Sequence, residues 1–194
     1  MPVRRSSGFD FSAAMRGLCA DVAARLPPLA HVDMSRVAVG IRRARQRTAH
    51  GVFATLTPLR FAGGAAIHVR RGRRYRIPPL VDPAGRELLY LLNFYLPRFL
   101  DLSLEAKLST VVHELWHIGP QFDGDLRRHA GRCYAHGPSQ HVYDAAMDRL
   151  AQQWLAADPP EHLYEFLTFR HDELAAAHGG IRGQRWPTPR LAPA

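Results

Sequence analysis

The stretch from Leu104 to Ile118 constrains this chain more than any other. Leu104, Leu108, Val111, Val112, Leu115 and Ile118 recur at i, i+3, i+4, i+7 spacing, the signature of a helix with one face on a core. Asp101 or Ser103 can cap its start, and Gly119-Pro120 ends it. Inside lies His113-Glu114-Leu115-Trp116-His117, an H-E-x-x-H motif. Residues four apart on a helix share a face, so both imidazoles can reach one Zn²⁺ at about 2.0–2.1 Å. Glu114 can then take a proton from a water that the ion activates. A helix with two incidental histidines is the alternative, but it would bury two imidazoles and a carboxylate together without a partner, which is costly.

Helical spacing predicts two flanking helices. Phe9 to Leu26 carries the stripe Phe11, Met15, Leu18, Val22 and Leu26, and Pro27-Pro28 stops it. Gln140 to Ala157 carries Val142, Tyr143, Ala146, Met147, Leu150 and Trp154, with Ser139 as N-cap. Between the first helix and the motif, strand signals appear at 36–42, 51–59, 65–69 and 73–77, the last two as a hairpin around Arg71-Gly72. The apolar run Leu88 to Leu96 reads as a buried strand, and it could bind a peptide by adding it as an extra strand. Past the motif, Gln121 to Gly137 is polar and irregular. Glu161 to His178 reads as one more helix after the hinge Pro159-Pro160, followed by a Gly/Pro/Arg-rich tail that is either disordered or a strap docked by Trp186. The predicted class is α+β: an N-terminal helix, a small mixed or antiparallel sheet, the H-E-x-x-H helix and a following ligand-bearing helix. Residues 1–158 form the main domain, and 159–194 the C-terminal helix and tail.

A catalytic zinc commonly takes three protein ligands and keeps one position open. Asp123, His129, His136 and His141 are candidates for the third ligand. Asp123-Gly124 is an ordinary turn signal and is discounted. His136 is preferred, then His129, because a ligand at a helix entrance is held by a rigid element and Gly137 permits a close turn. Tyr134, Tyr143 or His141 could steady a developing oxyanion.

Charge points to a partner. Residues 1–80 hold fifteen arginines against three acidic residues, whereas 81–194 hold eleven basic and fourteen acidic ones. Arg42, Arg43, Arg45 and Arg47 form one cluster, and Arg70, Arg71, Arg73, Arg74 and Arg76 another. Such asymmetry suggests DNA or another nucleic acid, contacted through phosphates, with Tyr75 able to stack on a base. A solvated arginine-rich face is the plainer alternative. Two cysteines, Cys19 and Cys133, exclude a disulfide framework. No apolar run approaches the ~18 residues of a membrane span, and no secretory h-region is visible, so a cytoplasmic setting without membrane contact is expected.

His113-Glu114-x-x-His117 followed by His136-Gly137-Pro138 resembles the SprT-like zinc proteases, where a histidine in a His-Gly motif opens the next helix. The stretch Leu88 to Leu155, with Pro97-Arg98-Phe99, Phe122-Asp123-Gly124 and Tyr143-Asp144, is more similar still to the bacterial and phage metallopeptidases named from their zinc motif. The resemblance covers about a third of the chain. It implies a zincin-type fold, a Zn²⁺ cofactor and hydrolysis of a peptide or protein substrate, and the SprT-like likeness adds recruitment to nucleic acid.

Overall fold

The computed structural model describes residues 8–48, 50–128 and 140–194, with the backbone alone at Gln140 and His141. It is a mixed α+β fold built on a three-stranded sheet in the order β2-β8-β3. The strands are β2 (Val37–Arg43), β3 (Ala54–Pro58) and β8 (Tyr90–Leu96). β8 runs parallel to β2, with Val37 opposite Tyr90 and Arg43 opposite Leu96, and antiparallel to β3, with Leu56 opposite Leu92. The uniform apolarity of β8 is thereby explained. Tyr90, Leu92, Phe94 and Leu96 face the main core, and Leu91 faces a smaller one with Ala38, Leu59 and Leu88.

Helix α1 (Phe11–Arg25) crosses the main face and buries Phe11, Met15, Leu18 and Val22, each worth on the order of 1.5–3 kcal/mol. Asp10 caps it by accepting from the Ala13 N–H. Cys19 is fully buried, and burial pushes its thiol up to about 12, so it packs as a small apolar side chain. Helix α2 (Leu104–Trp116) packs on the same face near β3, and Ser103 rather than Asp101 caps it, accepting from the Ala106 N–H. Helix α3 (Gln140–Ala156) packs against α2 through Tyr143, Met147, Ala151 and Trp154. Its expected stripe is interrupted at Val142, which is 63% exposed. The expected cap Ser139 lies outside the described residues, as does Cys133.

Two hairpins lie between β3 and β8 in the chain. β4 (Ile67–Arg70) pairs with β5 (Arg73–Arg76) around Arg71-Gly72, both at positive φ. β6 (Leu80–Val81) pairs with β7 (Glu87–Leu88).

The C-terminal part corrects one expectation. Residues 161–178 are not one helix but two 3₁₀ turns, Glu161–Leu163 and Glu165–Thr168, and a short α4 (His171–His178). At the break, Phe169 is extended, and the buried ammonium of Lys107 on α2 donates to the carbonyls of Leu167 at 2.7 Å and Phe169 at 2.8 Å, which ties the non-helical stretch to α2. Phe166, Leu167 and Leu174 share the main core with α1 and α2. β9 (Ile181–Arg182) pairs in parallel with β1 (Phe9–Asp10). The tail then runs as a strap along β2. Ile41 N–H donates to the Gln184 carbonyl and Trp186 Nε1 to the Val39 carbonyl, before β10 (Ala192–Pro193) joins β5. Among the described residues, no helix is long and apolar enough to cross a membrane.

Candidate metal centre

The H-E-x-x-H side chains sit where α2 faces the outer edge of β3. His113 and His117 turn their Nε2 atoms toward each other at 3.0 Å, with ring centroids 4.7 Å apart. Two nitrogens bound to one ion at ~2.0–2.1 Å in tetrahedral geometry would be roughly 3.3 Å apart, so the pair needs only a small adjustment to share a cation. Glu114 is 8% exposed, and burial pushes its carboxyl up to about 7, against the opposing effect of a backbone hydrogen bond at Leu56 of β3. Phe53, Ala54, Ser109 and Thr110, with Asp144 of α3, complete a cleft of about 230 Å³ onto which His113 and Glu114 open.

The end of α2 is held firmly, and this fixes His117. The His117 and Ile118 N–H groups still bond back to the carbonyls of Glu114 and Leu115. The chain then folds back, so that the Arg127 N–H donates to the His117 carbonyl at 2.7 Å and Ile118 bridges to Leu126. Arg127 Nε donates to the Trp116 carbonyl at 2.8 Å, and its guanidinium lies 4.2 Å from the Trp116 ring centroid. The returning loop is tied to the sheet by Tyr90. Its hydroxyl donates to the Asp125 carbonyl at 2.9 Å and accepts from the Gly124 N–H at 3.0 Å. The Asp125 carboxylate accepts from the Gly63 N–H and from Arg128. Asp123 is occupied in the turn, where it accepts from the Asp125 N–H.

Tyr143 reaches the site. Its ring stands edge-on to His113 at 5.0 Å and stacks along His117 at 6.1 Å. Burial raises its phenol above the ordinary range, and the nearby Glu114 adds to the rise. His129, His136 and Tyr134 lie outside the described residues, as does the side chain of His141. Among the described residues, no three His, Cys, Asp or Glu side chains gather as a metal site. The donor set that is described, two convergent imidazoles beside a buried carboxylate, fits a zinc ion by its chemistry.

Three features differ from the sequence reading or were invisible to it. β8 cannot take a substrate strand, because β2 and β3 pair with it on both sides. The strap covers part of the outer edge of β2, and the outer edge of β3 borders the cleft. The arginine clusters also separate. Arg42 donates to the Trp186 carbonyl and Thr188 Oγ1, and Arg47 forms an ion pair with Asp172, whereas Arg43 and Arg45 are exposed. Arg70, Arg71, Arg73, Arg74 and Arg76 are all exposed on the β4–β5 hairpin, with Tyr75 half-buried between them. Among the described residues none of these five pairs with a carboxylate. Lys107 and Asp125 carry no motif, so only the tertiary structure reveals their roles.

No family model matches the chain, and no curated protein or solved structure is significantly similar to it.

Proposed function

We propose that this protein is a zinc-dependent metallopeptidase of zincin type. The observation that carries the reading is the convergence of the His113 and His117 Nε2 atoms beside the buried Glu114, in a cleft along a sheet edge. His113, His117 and a third histidine, His136 in preference to His129, would hold the ion. Bound zinc would supply a Lewis acid that acidifies water and polarises the scissile carbonyl. Glu114 accepts the proton of the attacking water and returns it to the leaving amine. A carboxyl with a pKa near neutrality suits both halves of that exchange. A cation on the neighbouring imidazoles would draw Glu114 back toward its ionised form, ready to act as base. Tyr143, packed on both histidines, is the best supported oxyanion helper. The peptide would lie along β3, the strand that borders the cleft.

Metal content comes first. About one zinc per chain in wild type and none in His113→Ala, both purified without added metal, is the expected result. No zinc in folded wild type after zinc is supplied would refute the reading. With the metal established, Glu114→Gln should retain zinc and lose hydrolysis of a denatured protein substrate. Full activity in that variant would refute the role of Glu114.

The exposed arginines of the β4–β5 hairpin, which pair with no carboxylate among the described residues, favour a second reading: a zinc-stabilised, non-catalytic module that binds nucleic acid. It differs in predicting salt-sensitive DNA binding without proteolysis. In the first reading the same hairpin would recruit the protease to nucleic acid in the cytoplasm.

A further inference from the structure

Past the carboxyl ends of the parallel strands β2 and β8 lies a cavity of about 350 Å³, within the range of small-ligand sites. It draws its walls from five separated parts of the chain. Arg42, Arg43 and Arg47 come from the end of β2 and its loop, His171 from the start of α4, and Arg185 from the strap. Ile41, Leu96, Pro97 and Ile181 supply an apolar wall. The sequence shows only one arginine cluster here, because Arg185 and His171 join it through the return of the strap along β2.

The charges do not cancel. Asp172 binds Arg47 and the His171 ring, and Asp101 accepts from the His171 N–H. These two carboxylates face four guanidiniums. Arg42 is held in place by the Trp186 carbonyl and Thr188 Oγ1. Arg43 and Arg185 are exposed and make neither an ion pair nor a side-chain hydrogen bond among the described residues. Two uncommitted guanidiniums in one cavity match the planar, bidentate recognition of a phosphate group, and the apolar side chains that line the same cavity suit a base.

We infer that this cavity binds a phosphate monoester carried on a nucleoside, either a free nucleotide or the 5′-phosphorylated end of a nucleic-acid strand. The site is independent of the metal centre, and the inference holds whether or not the chain is a peptidase.

The test is binding by the full chain of three probes: adenosine monophosphate, a 5′-phosphorylated oligonucleotide and the same oligonucleotide with a 5′-hydroxyl. Calorimetry would be used for the first and fluorescence anisotropy for the others. The variants are Arg43→Gln/Arg185→Gln and, as a control for general charge outside both the cavity and the β4–β5 hairpin, Arg149→Gln/Arg190→Gln. All four side chains are exposed, and circular dichroism would verify the fold of each variant. Each lost arginine–phosphate contact should weaken binding on the order of tenfold or more. Expected is a combined loss of about a hundredfold in the first variant and a change of roughly twofold or less in the control. Equal affinity for the nucleotide and the phosphorylated strand would identify a nucleotide site, and preference for the strand would identify a strand-end site. The inference is overturned if wild type binds no phosphorylated probe at millimolar concentration, if the first variant binds like wild type, if the control loses as much, or if the 5′-hydroxyl strand binds equally well.

Discussion

Tyr90→Phe tests how the H-E-x-x-H helix α2 is anchored. The phenol of the central strand holds the loop returning from α2 through two hydrogen bonds, and it is fully buried. Its loss has two unequal effects. The Asp125 carbonyl keeps a second donor, the Gly119 N–H at 3.1 Å, so it loses one bond worth about 0.5–1.5 kcal/mol. The Gly124 N–H loses the tyrosine acceptor in a buried setting, at a cost of about 1–3 kcal/mol. Removing one oxygen opens little space, so the expected destabilisation is about 2–4 kcal/mol. For a chain of this length that lowers Tm by roughly 4–12 °C. Urea unfolding followed by circular dichroism, with m unchanged, would measure it. The loop also orders the His117 carbonyl through Arg127, so affinity for zinc should fall in the same variant. A change below about 0.5 kcal/mol would refute the reasoning, since neither bond could then be buried as described.

Two further outcomes follow from the packing. Burial pushes Lys107 down to about 8, although Asp101 and Glu173 favour its charge, and this sets a pH dependence. Between about 8 and the ordinary lysine value near 10.4, the unfolded chain binds more protons than the folded one, so this group makes stability rise with pH there, by at most about 1.4 kcal/mol per pH unit. Lys107→Met should lack that rise in urea titrations across the window, and an identical profile would count against burial of the ammonium. Gly40→Ala should undock the strap, because an added Cβ would stand 2.7 Å from Asn93 Oδ1 and 2.9 Å from Trp186 Cδ1. The expected cost is about 1–3 kcal/mol with a red shift of tryptophan emission, and an unchanged spectrum would argue against the docked Trp186.

Where the sequence was legible, one periodicity dominated. α1 and α2 could be read because every stripe residue lands on one side, and Arg71-Gly72 because a positive-φ turn needs few residue types. The buried strand at Leu88–Leu96 was readable from its apolarity, but its place between β2 and β3 was not, since strand order is decided by distant segments. The stretch 161–178 misled because its helical spacing says nothing of Lys107, more than fifty residues earlier, which binds the carbonyls of Leu167 and Phe169 where the chain leaves the helical path. The two motif histidines and Glu114 could be read because one helix presents them. The arginine-lined cavity could not, because five stretches build it.

The strap and its pairing also govern how the chain can be cut. A fragment ending at 158, chosen to isolate the H-E-x-x-H unit, would strip Lys107 of its two acceptors and Phe11 of its edge-on contact with Phe166. It would also leave β1 unpaired and open the edge of β2 that Gln184 and Trp186 cover. An exposed apolar strand edge invites self-association. During synthesis the same edge stays bare until residue 186 has left the ribosome, so the sheet gains its cover late. Expression designs that keep the strap through Thr188 retain both that protection and the Arg42 contacts.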